Sequence, residues 1–281
     1  MPPFTIAGVP ERGKGRKSSA KANEDVVIRK RIRPSMLEGY RYVREAGKSG
    51  LVRGEYPDCV KDALLLGRGT CPDNAGGRGA VYRFSLPDGS GIVREFRRGG
   101  LLRFFNRDAY VTNRPLAELH IVDYLWRTGF PVAEPLGVCW WRRWGLLHGR
   151  IATKALEASH LQDYLLSARE ASQGVLQRVG EIICWMHDLG VFHADLQVRN
   201  ILIAEGTPYI IDFDKARRRP SLSSSARAAN LFRLRRSFEK NGLEESAYQM
   251  IREGYGNLPP HRLLSFLYRV KSNVSPSRRK K

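Results

Sequence analysis

Residues Val191–Arg219 read VFHADLQVRNILIAEGTPYIIDFDKARRR. Two short apolar runs, Ile201-Leu202-Ile203 and Tyr209-Ile210-Ile211, flank Glu205-Gly206-Thr207-Pro208. Strand-forming runs parted by glycine and proline predict a hairpin with residues 205–208 as its turn. A polar loop enters this hairpin and an aspartate leaves it, so Asp195, Asn200 and Asp212 are expected on one side of it.

Those residue types suit phosphoryl transfer. An acceptor hydroxyl needs a carboxylate to orient it and take its proton, and Asp195 fits that role. Mg²⁺ on nucleotide phosphates is a hard ion preferring oxygen, which a carboxylate at Asp212 and an amide oxygen at Asn200 supply. The run His193-Ala194-Asp195-Leu196-Gln197-Val198-Arg199-Asn200, followed by Asp212-Phe213-Asp214, resembles the catalytic and metal-binding loops of the protein-kinase-like fold. The competing reading is a solvated hairpin with ordinary turn aspartates.

Upstream, the cluster Gly76-Gly77-Arg78-Gly79 precedes a strand at 81–86, a turn at 87–91 and a strand at 92–96. Glycines let backbone N–H groups approach phosphates closely, so Gly77 and Gly79 are candidates for a loop covering ATP. Glycine clusters commonly mark only a turn, and it is the hairpin after this one that gives it meaning. In the second strand, Ile92-Val93-Arg94 stands where kinases carry Val-Ala-Ile-Lys. Arginine keeps the charge and can fork onto phosphates, although its shape and reach differ from those of lysine. Arg97 and Arg98 follow and are further candidates for an anion.

Residues 106–128 predict a helix whose stripe is Ala117, Ile121, Tyr124, Leu125 and Thr128, ended by Gly129 and Pro131. Glu118 lies on it and is the candidate ion-pair partner of Arg94, an exposed glutamate being the alternative. Residues 132–154 predict two strands about a turn carrying Trp140, Trp141 and Trp144, with 150–154 as the connection between lobes. Val175, Val179, Ile182, Ile183 and Met186 mark a buried helix leading into the Asp195 loop. Helices are also expected at 230–240 and 261–270.

The chain has 281 residues and a net charge of +20. Residues 1–33 hold nine Lys/Arg against three Asp/Glu, and residues 271–281 hold five basic residues and no acidic one. The remaining body is therefore basic too, which favours polyanions: nucleic acid, anionic lipid or a phosphorylated substrate. Four cysteines, at 59, 71, 139 and 184, form no disulfide or zinc pattern. No apolar run reaches the ~18 residues of a membrane span, so a cytosolic or membrane-peripheral protein is expected.

Asp214 replaces the glycine of Asp-Phe-Gly, and neither a long activation segment nor Ala-Pro-Glu follows it. A small acceptor is expected rather than a peptide, and Arg217–Arg219 beside the metal site suggest that it is anionic. Arg97-Arg98-Gly99-Gly100-Leu101, His193-Ala194-Asp195-Leu196, Ile211-Asp212-Phe213-Asp214 and Asn230-Leu231-Phe232-Arg233-Leu234-Arg235-Arg236-Ser237 together are similar to the 3-deoxy-D-manno-octulosonic acid (Kdo) kinases. These are relatives of the lipopolysaccharide heptose kinases, and the likeness spans about residues 76–240.

The resemblance implies an α+β, two-lobed kinase-like fold with a small β-rich lobe and a larger helical one. Composition sets off a basic arm (1–34), expected to be disordered, and a basic tail (271–281), and the body between them is expected to form a small lobe (35–154) and a large lobe (155–270). The resemblance also implies an ATP- and Mg²⁺-dependent enzyme phosphorylating the 4-hydroxyl of Kdo on a lipid A precursor, at the cytoplasmic face of a bacterial inner membrane. Under it Asp195 is catalytic, Asn200 and Asp212 hold metal, and Gly77, Gly79, Arg94 and Glu118 hold nucleotide, with Arg97, Arg98 and Arg217 facing the acceptor. An anionic membrane is the expected surface partner, nucleic acid is not expected, and the oligomeric state is left open. Two rivals stand beside it: a small-molecule phosphotransferase of the aminoglycoside type, and a non-catalytic basic scaffold favoured by Arg94 in place of lysine.

Overall fold

The computed structural model describes residues 37–72, 81–96, 113–143, 146–167 and 173–256. The expectations for the N-terminal arm, Gly77, Gly79, Arg97, Arg98, the helix at 261–270 and the C-terminal tail lie outside them. These described residues fall within a single compact unit.

The first layer is an antiparallel sheet of seven strands. These are β1 (Tyr40–Glu45), β2 (Lys48–Arg53), β3 (Thr70–Pro72), β4 (Val81–Leu86), β5 (Gly89–Glu95), β6 (Pro135–Arg143) and β7 (Leu146–Lys154), ordered β1-β2-β6-β7-β5-β4-β3. Side chains alternate across a strand, so neighbours divide between two cores. Val52, Val93, Cys139 and Ala152 pack on one face with α1 (Pro57–Lys61) and the π-turn Asp62–Leu66 that continues it. Leu51, Val138 and Ile151 pack on the other against Leu116 and Leu119 of α2 (Arg114–Arg127). Because Val93 belongs to the first face, Arg94 is delivered to the side of α2.

The larger core gathers α4 (Gln173–Asp188), β10 (Ile201–Ala204), β11 (Thr207–Ile210), α5 (Ser224–Lys240) and α6 (Glu245–Tyr255), together with Val122, Leu125, Phe130 and Val132. Val175, Val179, Ile182, Ile183 and Met186 are all buried in it, as their spacing predicts. Helices α4 and α6 cross in near contact. A Cβ on Gly180 would stand 2.0 Å from Ile251 O, and one on Gly254 would stand 1.9 Å from Gln177 O. Short pieces complete the layer: β8 (Ser159–His160), α3 (Leu161–Ser167), β9 (Val191–Phe192) and β12 (Arg217–Arg218).

Four expectations shift. The α2 stripe is displaced, for its buried face is Pro115, Leu116, Glu118, Leu119, Val122, Asp123 and Leu125. Two acids occupy apolar-type positions because each has a partner: Arg94 binds Glu118, while Tyr40 and Arg127 bind Asp123. Residues 150–154 are not a connection but the end of β7, with residues 150–153 paired to β5 and to β6. The hairpin turn is only Glu205-Gly206, with φ of 49° and 76°. That left-handed pair matches a tight type I′ turn, and Pro208 is tolerated because β11 is an edge strand. Helix α5 begins at Ser224, where Ser223 Oγ accepts the N–H of Ala226.

Candidate active site

Strand pairing brings the three residues at the hairpin together. Ile201 faces Ile210 in the β10–β11 register, and one step beyond it the Ile211 N–H donates to Asn200 O at 3.0 Å. Asp212 is the next residue, at φ 65°, a left-handed conformation that aspartate tolerates better than most side chains. Asn200 is buried, and its Nδ2 donates to Asp195 O at 2.8 Å, which leaves its Oδ1 as the free end of the amide.

His193 ties the loop to the Asp212 turn. Its Nε2–H donates to Ile211 O at 3.0 Å, while Nδ1 accepts the Asp195 N–H at 3.2 Å. These partners require the neutral ring, and burial holds its pKa below the usual histidine range. The ring also meets Phe213 edge-on at 4.9 Å.

Helix α5 supports the same loop from beneath. Asn230, fully buried, accepts the His193 N–H at 3.0 Å and donates to His193 O at 2.7 Å. Two turns on, Ser237 Oγ accepts the Val198 N–H at 3.1 Å. Asn230 Oδ1 also takes the Nε2–H of His187, whose Nδ1 accepts from Tyr255 at 2.9 Å. Burial pushes the His187 pKa down to about 4. The loop is thus pinned at both ends by one helix, and the Asp195 side chain, 49% exposed, opens outward between the pins. Gln197 Nε2 reaches its Oδ2 at 3.2 Å and Arg233 Nη1 its Oδ1 at 3.4 Å.

Opposite the hairpin, Arg94 bridges β5, α2 and the turn. Its Nη2 lies 2.6 and 2.8 Å from the two Glu118 oxygens, and its Nη1 lies 3.3 Å from Asp212 Oδ1. Burial raises the Glu118 pKa to about 7 against the pull of Arg94. Arg114, one helical turn before Glu118, grips Asp214 through Nε at 3.0 Å and through Nη2. Gly149 admits this end of α2, since a Cβ there would fall 2.2 Å from Pro115 Cγ.

The expected Arg94–Glu118 pair is therefore formed, and the backbone of Asp195 is tied to Asn200 directly and, through His193, to Ile211 beside Asp212. Arg217 is exposed on β12, paired by backbone to Phe192 just before His193. Asn230–Ser237 entered the sequence reading as part of the resemblance, with no role for Asn230, Arg233 or Ser237, and the Arg114–Asp214 pair was missed. A signal for Asn230 and Ser237 existed: they share the stripe of Leu231, Leu234 and Phe238, where a polar residue needs a buried partner.

Asp212 Oδ1 is buried and makes no hydrogen bond, although the Arg94 guanidinium stands 3.3 Å away as an ion-pair partner. A carboxylate oxygen with no hydrogen bond and an amide oxygen one strand pair away are donor types that fit Mg²⁺, which takes one or two protein ligands and completes its shell with water and phosphate. Among the described residues no group of three or more His, Cys, Asp or Glu forms a self-contained metal cage, so the nucleotide would supply the remaining ligands.

Comparison with known proteins agrees with this geometry. Residues 66–255, about two-thirds of the chain, match the model of the lipopolysaccharide kinase (Kdo/WaaP) family. A 3-deoxy-D-manno-octulosonic acid kinase of Vibrio vulnificus is 35% identical over 186 residues, covering 62% of this chain and 76% of that protein. The enzyme of the same name from Xylella fastidiosa is 32% identical over 190 residues, covering 65% and 75%. The solved structure of WaaP in complex with acyl carrier protein shares the fold, with a TM-score of 0.51 at 17% identity, over 77% of this chain and 92% of that one. The two-lobed kinase-like fold and these relatives make the chain an ATP-dependent phosphotransferase belonging to the lipopolysaccharide kinase (Kdo/WaaP) family.

Proposed function

We propose that this protein transfers the γ-phosphoryl group of ATP to the 4-hydroxyl of a Kdo residue on a lipid A-type glycolipid, releasing ADP. The observation that carries the reading is the hydrogen-bonded circuit from Asp195 through His193 to Ile211 and Asp212, closed by Asn200 on Asp195 O. It supports a fixed spacing between an outward carboxylate and a pair of oxygen ligands, which is what in-line transfer to an alcohol demands. The Kdo acceptor is supported by the names of the relatives.

In this reading ATP lies between a small lobe of residues 35–154 and a large lobe of residues 155–270, under the loop of Gly77 and Gly79. Asp195 orients the sugar hydroxyl and accepts its proton. Asn200 and Asp212 hold Mg²⁺, which would neutralise charge on the phosphates. Arg94, steadied by Glu118, presents its remaining edge to the phosphates, the place lysine takes in kinases. Arg217, with Arg97 and Arg98, faces the anionic acceptor. The basic arm and tail favour an anionic membrane surface, consistent with a peripheral protein at the cytoplasmic face. No helix among the described residues is long and apolar enough to cross a membrane.

The test is incubation of purified protein with Mg-ATP and a Kdo–lipid A acceptor, followed by mass spectrometry of the glycolipid. One added phosphate on Kdo is expected, and Asp195→Asn is expected to cut the rate ~10²–10⁴-fold, the usual cost of losing a general base. Turnover by Asp195→Asn equal to wild type would overturn the assignment.

A further inference from the structure

We propose that Arg233 binds the carboxylate of the acceptor sugar. This rests on the Kdo reading above and adds to it the group by which the acceptor is recognised. The position of the guanidinium is built in by α5. Asn230 and Ser237 of that helix hold the loop backbone at His193 and Val198, and Leu231, Leu234 and Phe238 fix the rotation of the helix in the core. Residues three and four apart share a helical face, so Arg233 stands between the two pins. There it overlooks the middle of the loop and meets Asp195.

Its contact differs from that of an arginine placed only to neutralise a carboxylate. Such a pair is usually forked and short. Arg233 instead offers a single Nη1 at 3.4 Å, with 51% of its side chain exposed, and no other side chain among the described residues pairs with it. Its other N–H donors make no ion pair or hydrogen bond to another side chain among the described residues. Arg94, by contrast, already gives two contacts to Glu118 and one to Asp212.

The chemistry of the acceptor calls for a cation there. An octulosonic acid carries a carboxylate within one sugar ring of its hydroxyls, so seating a hydroxyl on Asp195 brings two like charges close together. Repulsion at that range is unfavourable unless a positive group bridges them. A guanidinium has five N–H donors in a planar fork, enough to keep Asp195 on one nitrogen and take a second carboxylate on the other edge. A neutral sugar would have no use for it. Arg233 would therefore select sugar acids over neutral sugars.

The experiment compares wild type, Arg233→Gln and Arg233→Lys on two acceptors: a Kdo–lipid A precursor, and its counterpart with the Kdo carboxylate converted to a carboxamide. A charge-assisted pair of this type is worth roughly 10- to 100-fold. Arg233→Gln should raise KM for the acid by about that factor, leave KM for ATP unchanged, and cost clearly less on the amide, where only the contact to Asp195 is lost. Arg233→Lys should recover part of the loss, and thermal unfolding of each variant checks the fold. Equal losses on acid and amide would show that Arg233 only positions Asp195, and unchanged KM for the acid would remove it from the site; either result overturns the proposal. Wild-type protein that uses the amide as well as the acid overturns the carboxylate assignment alone. Wild type inert toward the Kdo acid overturns the parent reading, and this proposal with it.

Discussion

The two flanks of the Asp195–Asp212 cluster hold their arginines in opposite ways. Toward β5 and α2, Arg94 and Arg114 are committed: Glu118 is 3% exposed and receives Arg94 through both oxygens, and Asp214 receives Arg114 through both of its own. Toward α5 and β12, Arg233 makes one long contact, and Arg217 and Arg219 are exposed. A buried ion pair survives only with good geometry on both partners, whereas an exposed one contributes little and can exchange partners. The closed flank is thus assembled before anything binds, while the open flank leaves its positive charge exposed.

The strongest way to break this contrast is to empty the closed flank of one charge. Asp212→Asn leaves Arg94 with Glu118 alone and replaces a carboxylate that would hold Mg²⁺. Turnover should fall about 10³-fold, in line with loss of one charge-stabilising group at a reacting phosphate. Thermal stabilisation by Mg-ATP should vanish, while binding of the acceptor glycolipid by itself stays intact. Equal loss of acceptor binding would show that the flanks are not separable.

A second break point lies beneath both flanks. His187 is fully buried with a pKa near 4, against an ordinary 6.5. The unfolded chain therefore binds a proton before the folded one does, and stability is lost as pH falls from about 6.5 to 4. Integrated over that window the loss is about 3 kcal/mol. His193, whose pKa is also lowered by burial, acts in the same direction. Denaturant titrations from pH 7.5 to 4 should show this slope, and His187→Gln should flatten it even though the variant is less stable overall. An unchanged slope in that variant would mean that other groups carry the acid sensitivity.

Much of the cleft could be read from residue order, and the reason is local. The β10–β11 hairpin is specified by its own apolar runs and turn, so Asn200 is paired to Ile211, next to Asp212, through contacts close in sequence. The Arg94–Glu118 pair was legible only through resemblance, because nothing local states that β5 and α2 share a sheet face. What escaped was long-range and polar. Arg114 meets Asp214 across 100 positions, and Asn230 meets His193 across 37. Hydrophobic periodicity also misplaced the buried face of α2, since it scores Glu118 and Asp123 as solvent-facing when ion pairing has drawn both inward.

Asp214 offers the smallest effect and the finest test of the contrast. It replaces the glycine of the kinase motif, and through Arg114 it fastens the start of α2 to the turn carrying Asp212. If that clasp keeps Glu118 on Arg94, Asp214→Asn should raise KM for ATP about tenfold, the worth of one hydrogen bond to a charged group. KM for the acceptor should be untouched. Salt sharpens the distinction, because exposed pairs are screened far more than partly buried ones. Raising ionic strength from 0.05 to 0.5 M should therefore weaken acceptor binding at the open flank while KM for ATP in the wild type barely moves. Exchanging the charges, Arg114→Asp with Asp214→Arg, should recover part of the nucleotide affinity if the clasp acts through pairing. Failure of both the single variant and the exchange to move KM for ATP would reduce Arg114–Asp214 to a surface ion pair and leave Arg94–Glu118 as the sole support of the closed flank.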